Sequence, residues 1–298
     1  MLQQFMKQEL PKVEHYLLEV IQTLPNEQVK LKEAMSYAIS SGGKRVRPLF
    51  VLVATQLAGG SLEKAIPVAG ALEMIHTYSL IHDDLPGMDN DDLRRGRPTL
   101  HVAFDEATAI LAGDAFLTLA FTCLTENDLP ATVQSVLVRL ISKNAGAYGM
   151  IAGQMLDVES ESKEVTLQEL MYIHQQKTGA LIEISLQSGL LIGNASKEMY
   201  QLLHQFAVHY GLAFQIQNDL QDVLWDSAKS GKQSGKDTVL EKNTYPSLLG
   251  VDGALAMLQE EITACKECLT SIATYATKPK EQEAVLLLNE MLEYLKIS

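Results

Sequence analysis

Uncharged apolar runs of membrane-spanning length are missing from this chain. A membrane span requires roughly 18 such residues, and the most apolar stretch, Ala180–Ile192, is interrupted by Glu183 and Gln187. The opening sequence, MLQQFMKQELPKVEHYLLEV, has no basic segment leading into an apolar one, so a secretory leader is not expected. Cysteine is scarce. Cys123, Cys265 and Cys268 cannot make a paired disulfide framework, and a cytoplasmic location is the expectation. Cys265 and Cys268 form a CxxC, but no second Cys or His pair lies at metal-ligand spacing, so two ordinary helical thiols are expected. Basic residues are outnumbered, 24 Lys and Arg against 37 Asp and Glu, and the net charge of −13 argues against nucleic acid or an anionic membrane as partner. Sustained two-residue alternation is absent too, which excludes a sheet-rich fold.

What is present points to helix. Apolar residues recur every three or four positions, as in Val13, Tyr16, Leu17, Val20 and Ile21, and again in Met199, Leu202, Leu203, Phe206 and Tyr210. The prolines are spaced as helix starts and connections would be, with no linker-like cluster. Residues 227–236 (SAKSGKQSGK) form the one Gly- and Ser-rich stretch and read as flexible. No repeat or composition break divides the chain. These features predict an all-α, single-domain bundle of ten or more helices spanning residues 1–298. Two helices apolar around much of their circumference, residues 107–124 and 180–192, are expected in the interior.

Two acidic clusters follow apolar helical stretches. Asp83, Asp84 and Asp89 close the nearly uncharged segment 66–81, and Pro86-Gly87 is expected to distort the chain so that Asp89 folds back toward Asp83. In the second cluster, Asn218 and Asp222 stand four apart, one turn along a single helix face, with Asp219 between them and Asp226 a turn further on. An acid run by itself is most often a solvated face. Here cations follow each cluster closely, Arg94 and Arg95 after the first, Lys232 and Lys236 after the second. Crowded carboxylates repel unless they share a cation, and hard oxygen ligands suit Mg²⁺ bridged by a diphosphate.

A separate anion site is expected at Gly42-Gly43-Lys44-Arg45-Val46-Arg47-Pro48, where backbone N–H groups and cationic side chains converge before a helix. His76 lies seven residues before Asp83 and hence on nearly the same helix face.

With these residues in view, the chain resembles the trans-prenyltransferases of the polyprenyl synthetase family, specifically the bacterial farnesyl and geranylgeranyl diphosphate synthases. From about residue 30 onward, GGKRVRP, IHTYSLIHDDLPGMDNDDLRRGRPT, AFDEATAILAGDA, KTGALIE, GLAFQIQNDLQDV and DTVLEKNTYPSLLG look like family blocks in family order. The resemblance implies an isoprenoid-synthase fold around a central cavity and a homodimer. It implies condensation of isopentenyl diphosphate with dimethylallyl or geranyl diphosphate. Asp83, Asp84, Asp89, Asp219 and Asp222, with Asn218 as a further candidate, would hold three Mg²⁺ ions. Arg94, Lys177, Lys232 and Lys242 would contact the allylic diphosphate, and the segment around residues 227–237 would be a closing lid. Gly43, Lys44, Arg47, His76 and Arg95 would bind isopentenyl diphosphate, and Thr178 and Gln215 would line the reacting carbons. Tyr78 and Ser79 sit at the level that sets chain length, and an aromatic at Tyr78 resembles the farnesyl type. A geranylgeranyl synthase is the alternative. The departure is Asn218, where the family usually has aspartate; Asn218, Asp222 and Asp226 resemble the second metal motif of terpene cyclases. A cyclase, however, lacks the second diphosphate site, and a non-catalytic subunit would tend to lose the first acidic motif.

Overall fold

The structure is a computed structural model that describes residues 1–161, 163–225 and 243–297. In chain order the helices are α1 (Leu2–Gln22), α2 (Val29–Ser40), α3 (Val46–Leu57), α4 (Leu62–Asp83), the one-turn α5 (Leu100–Ala103) and α6 (Glu106–Thr125). They continue as α7 (Ala131–Ala145), α8 (Met150–Ser160), α9 (Leu167–His174), α10 (Ala180–Ile192), α11 (Lys197–Leu224), α12 (Tyr245–Ala273) and α13 (Pro279–Glu293). A π-helical turn, Gln175–Gly179, joins α9 to α10 without a break. The start signals are chemical. Ser61, Asp105 and Ser196 accept hydrogen bonds from the first turns of α4, α6 and α11, and Thr166 and Thr244 form capping boxes for α9 and α12.

The all-α expectation holds, with one small exception. Leu93–Arg94 pairs antiparallel with Arg97–Pro98, and the loop residues Arg95 and Gly96 both have positive φ, 55° and 74°. That is the geometry of a type I′ hairpin turn. A two-residue strand is too short to leave an alternation in sequence. The prolines also depart from their expected places, for Pro11 and Pro67 lie inside α1 and α4.

One continuous apolar core runs through the bundle. At its centre Phe50 of α3 meets Tyr210 of α11 edge-on at 4.9 Å, with Phe206 beside both rings. α10 is interior, as expected, with nine of its residues buried. α6 is not. It packs on α4, with Gly113 against the His82 ring, and buries Ala109, Ala112 and Phe116, yet Ile110 is 44% exposed and Leu111 61%. By length and composition alone α6 is apolar enough to cross a membrane, the one such helix among the described residues.

Candidate active site

α4 delivers the first acidic cluster. The helix ends at Asp83, and the Pro86-Gly87 turn sends the chain back so that the Asp89 N–H donates to the Asp83 carbonyl at 2.8 Å. The Asp91 N–H likewise donates to the Asp84 carbonyl at 3.2 Å. The expected fold-back of Asp89 onto Asp83 is therefore present. Burial raises the Asp83 carboxyl, Lys177 opposes that shift, and the neighbouring Asp89 reinforces it. Asp84 is buried, and the Arg94 guanidinium donates to both of its oxygens at 2.6–2.8 Å. Sequence assigned these two residues to different partners, a metal and a diphosphate; the fold sets them face to face.

The second cluster lies on α11. Gln215 donates to Asp219 at 2.9 Å, and the Tyr245 backbone N–H donates to the other Asp219 oxygen at 3.1 Å. Asp222 has one buried carboxylate oxygen without a hydrogen bond among the described residues, and Asn218, just before Asp219, is half-buried. The π turn connects the two clusters. The Thr178 hydroxyl donates to the Gln215 amide oxygen at 3.2 Å. Lys177 carries its ammonium into the field of Asp83 and Asp89 and bonds Asp157 of α8 at 2.6 Å. Burial would lower the Lys177 ammonium, but Asp157 and Asp83 outweigh it and raise it. Among the described residues no three acidic, His or Cys side chains converge as a ready-made metal site.

The cationic loop behaves differently from a uniform basic patch. Arg45, held in the left-handed region at φ 48°, turns inward to pair with Glu73 at 2.5 Å and Glu14 at 2.9 Å. It is structural. Arg47 keeps a buried Nε without a hydrogen bond among the described residues, and burial lowers its guanidinium to about 10. Arg95 reaches back from the hairpin to the Gly42 carbonyl, and a side chain at Gly43 would collide with its guanidinium. Lys44 is exposed on the same loop. His76 joins this group: burial and the fields of Arg47, Arg95, Arg94 and Arg45 lower it well below the usual imidazole range, so it is a neutral donor. Its electrostatic neighbours are arginines, two of which, Arg47 and Arg95, were assigned with it to isopentenyl diphosphate. A cleft between α2, α4 and the hairpin is lined by Ser41, Thr77, Asp84, Arg94 and Arg95.

Tyr78 is buried below Asp83, edge-on to His82 at 5.7 Å, with its hydroxyl unpartnered among the described residues. Ser79 is half-buried and donates to the His76 carbonyl at 2.9 Å. Asp226, Lys232, Lys242 and the proposed lid lie outside the described residues. Of the CxxC thiols, Cys265 is buried beside the Phe206 carbonyl, and burial raises both. Three residues escaped the sequence reading. Glu73 had a signal, being the one carboxylate inside the apolar segment 66–81, where an unpaired charge is costly. Asp157 and Tyr245 had none, for each acts through a partner distant in sequence.

Comparison with known proteins bears on this arrangement. Residues 28–283 match the family described as polyprenyl synthetase. The chain is 47% identical over 270 residues to the farnesyl diphosphate synthase of Geobacillus stearothermophilus, covering 90% of this chain and 91% of that protein. It is 44% identical over 256 residues to geranylgeranyl pyrophosphate synthase 4 of Arabidopsis thaliana, covering 85% of this chain and 69% of that one. A crystal structure of Helicobacter pylori geranyltransferase complexed with magnesium and isoprenyl diphosphate superposes with a TM-score of 0.86 at 34% identity, covering 98% of this chain and 97% of that one.

Proposed function

The chain belongs to the polyprenyl synthetase family, and from that premise we propose how its residues divide the labour between two diphosphate sites. It is a prenyltransferase with the all-α isoprenoid-synthase fold, and its reaction class is that of a trans-prenyl diphosphate synthase. The two substrates are isopentenyl diphosphate and an allylic diphosphate, dimethylallyl or geranyl, and farnesyl diphosphate is the product. The observation that carries this reading is the hydrogen-bonded run from Thr178 through Gln215 to Asp219, adjoined by Lys177 in the field of Asp83 and Asp89, with arginines gathered around His76.

Mg²⁺ suits the first of these sites. It binds through about one or two carboxylates plus phosphate oxygens, so a protein-only cluster of three ligands is not required. Asp83, raised by burial and by Asp89, and Asp222, with its orphaned oxygen, are carboxylates that a cation would stabilise. Asp83, Asp89, Asp219 and Asp222 would hold the ions, three by family resemblance, and Asp84 would serve through the Arg94 it grips. When bound, the metal withdraws electron density from the leaving diphosphate.

The protein's own groups do the rest. Arg94 and Lys177 hold the allylic diphosphate while its C–O bond breaks with the electron pair leaving on oxygen. Lys44, Arg47, Arg95 and neutral His76 fix isopentenyl diphosphate so that its double bond forms the new C–C bond. The departing diphosphate takes the proton that restores the alkene. The Thr178 hydroxyl and Gln215 amide oxygen turn lone pairs toward the transient cation without carrying full charge.

Purified protein given Mg²⁺, geranyl diphosphate and labelled isopentenyl diphosphate should yield a labelled fifteen-carbon alcohol after dephosphorylation. No incorporation of label would refute the assignment. A twenty-carbon product would instead favour the geranylgeranyl alternative, which the Arabidopsis relative keeps open. Residues 1–298 are read as one domain, on the strength of the single continuous core. A homodimer is proposed as well, supported by the uncovered apolar face of α6.

A further inference from the structure

We infer that Asp157 is a positioning residue for the allylic diphosphate, tethering the Lys177 ammonium beside the first aspartate cluster so that it meets substrate instead of closing on Asp83 or Asp89. The inference rests on the reading of Lys177 as an allylic-diphosphate contact.

Three observations carry it. First, Lys177 lies among three carboxylates, Asp157, Asp83 and Asp89, and its 2.6 Å ion pair is with Asp157. Asp157 thus occupies one ammonium donor and fixes the direction of the other two. Second, the pair is sheltered, with side chains only 21% and 25% exposed, so it is screened far less than a surface bridge. Third, the backbone is built to hold it. Gly153 of α8 lies against the Lys177 backbone so closely that a Cβ there would collide with it. Asp157 follows one helical turn later on the same face of α8. The helix therefore grips the π turn at two points, backbone at Gly153 and side chain at Asp157.

A tether of this kind differs from a structural salt bridge in what it controls. Removing its charge frees Lys177 to swing onto Asp83 or Asp89, where it would compete with substrate and cation for the same carboxylates. Among the described residues Asp157 makes its hydrogen bonds with Lys177 and Ser160 and none with Arg47 or Arg95, the residues assigned to isopentenyl diphosphate, so affinity for that substrate should not change.

The test is steady-state kinetics with each substrate varied in turn. Asp157→Asn should lower kcat/KM for the allylic diphosphate on the order of ten- to a hundredfold, the range of one charge-assisted hydrogen bond. KM for isopentenyl diphosphate should stay within about twofold, which is a negligible free-energy change. Asp157→Glu should recover part of the loss. In a Lys177→Met background Asp157→Asn should add almost nothing, since the group it positions is gone. Glu159→Gln, which removes an exposed charge from the same helix, is expected to change nothing. Wild-type kinetics for Asp157→Asn would overturn the inference, as would parallel rises in both KM values or losses that multiply with Lys177→Met. Should Asp157→Asn fold poorly, as judged by thermal melting, Asp157→Glu and Lys177→Met still decide through the same substrate split. If wild-type protein consumes no isopentenyl diphosphate, it is the underlying assignment that has failed.

Discussion

Tyr78 buries a large ring and leaves its hydroxyl without a partner, which makes it informative at the residue scale. It stands five residues before Asp83, about 7.5 Å along the helix axis, where a growing chain leaving the acidic cluster would meet it. Tyr78→Ala should lengthen the product beyond fifteen carbons, read by chromatography of the dephosphorylated alcohols. An unchanged product distribution would end the chain-length reading. Tyr78→Phe removes only the unsatisfied hydroxyl, whose burial costs about 1–3 kcal/mol. It should raise the melting temperature and leave product length alone. Asp89 invites a second test, because its return to Asp83 depends on a backbone hydrogen bond that a side-chain change leaves intact. Asp89→Ala should lower kcat on the order of a thousandfold, the scale of several kcal/mol of electrostatic stabilisation. It should also raise the Mg²⁺ requirement in a metal titration, and a full-rate variant would remove Asp89 from the metal set.

Among the elements, the π turn does the most to assemble the site and was the least visible in sequence. Residues 175–179 (QQKTG) continue the periodicity of α9 and α10 and carry no proline or cap to announce an extra residue per turn. What shapes the turn is its neighbour α8, through Gly153 and Asp157, and contacts between segments twenty residues apart leave no periodic trace. The end of α4 was legible for the opposite reason. Proline and glycine at 86 and 87 impose a local stop, and local stereochemistry fixed the Asp83–Asp89 reversal that the hydrogen bonds record. The hairpin lies between these cases. Arg95-Gly96 has turn chemistry, but nothing in the sequence says that Arg94 will look toward Asp84 and Arg95 toward Gly42. Gly153→Val tests the element directly, since its side chain must displace the Lys177 backbone. Activity should fall by at least about a hundredfold, as expected when a misplaced catalytic group shifts by roughly 1 Å, while circular dichroism retains the helical signal. Retained activity would mean that the π turn tolerates displacement.

At the scale of the molecule, two features look beyond any single site. The exposed face of α6 puts Ile110 and Leu111 in solvent on a predominantly apolar helix. Leu111→Glu should convert a dimer to monomer in light scattering coupled to size exclusion; a monomeric wild type would refute the proposal outright. The second feature is acid sensitivity. His174 is buried against the Tyr245 ring at 5.4 Å, and burial lowers it from 6.5 to about 4. Below pH 6.5 the unfolded chain takes up this proton while the folded chain does not, so stability falls as the pH drops toward 4 and this loss is complete below that. The loss is on the order of 3 kcal/mol, a sizeable part of the stability of an ordinary domain. His76, also lowered, acts in the same direction. Asp83 acts in the opposite one, because a raised carboxyl is protonated first in the folded state. Asp105, Glu169, Glu198, Glu281 and Glu293, whose carboxyls are lowered by hydrogen bonds, act in the same direction as the histidines, so the net is a decline. Melting temperatures from pH 8 to pH 4 should therefore fall steeply below about 6.5, the ordinary histidine value. His174→Gln, which cannot charge, should flatten that slope even if it lowers the plateau. An equally steep slope in the variant would show that acid acts elsewhere in the fold.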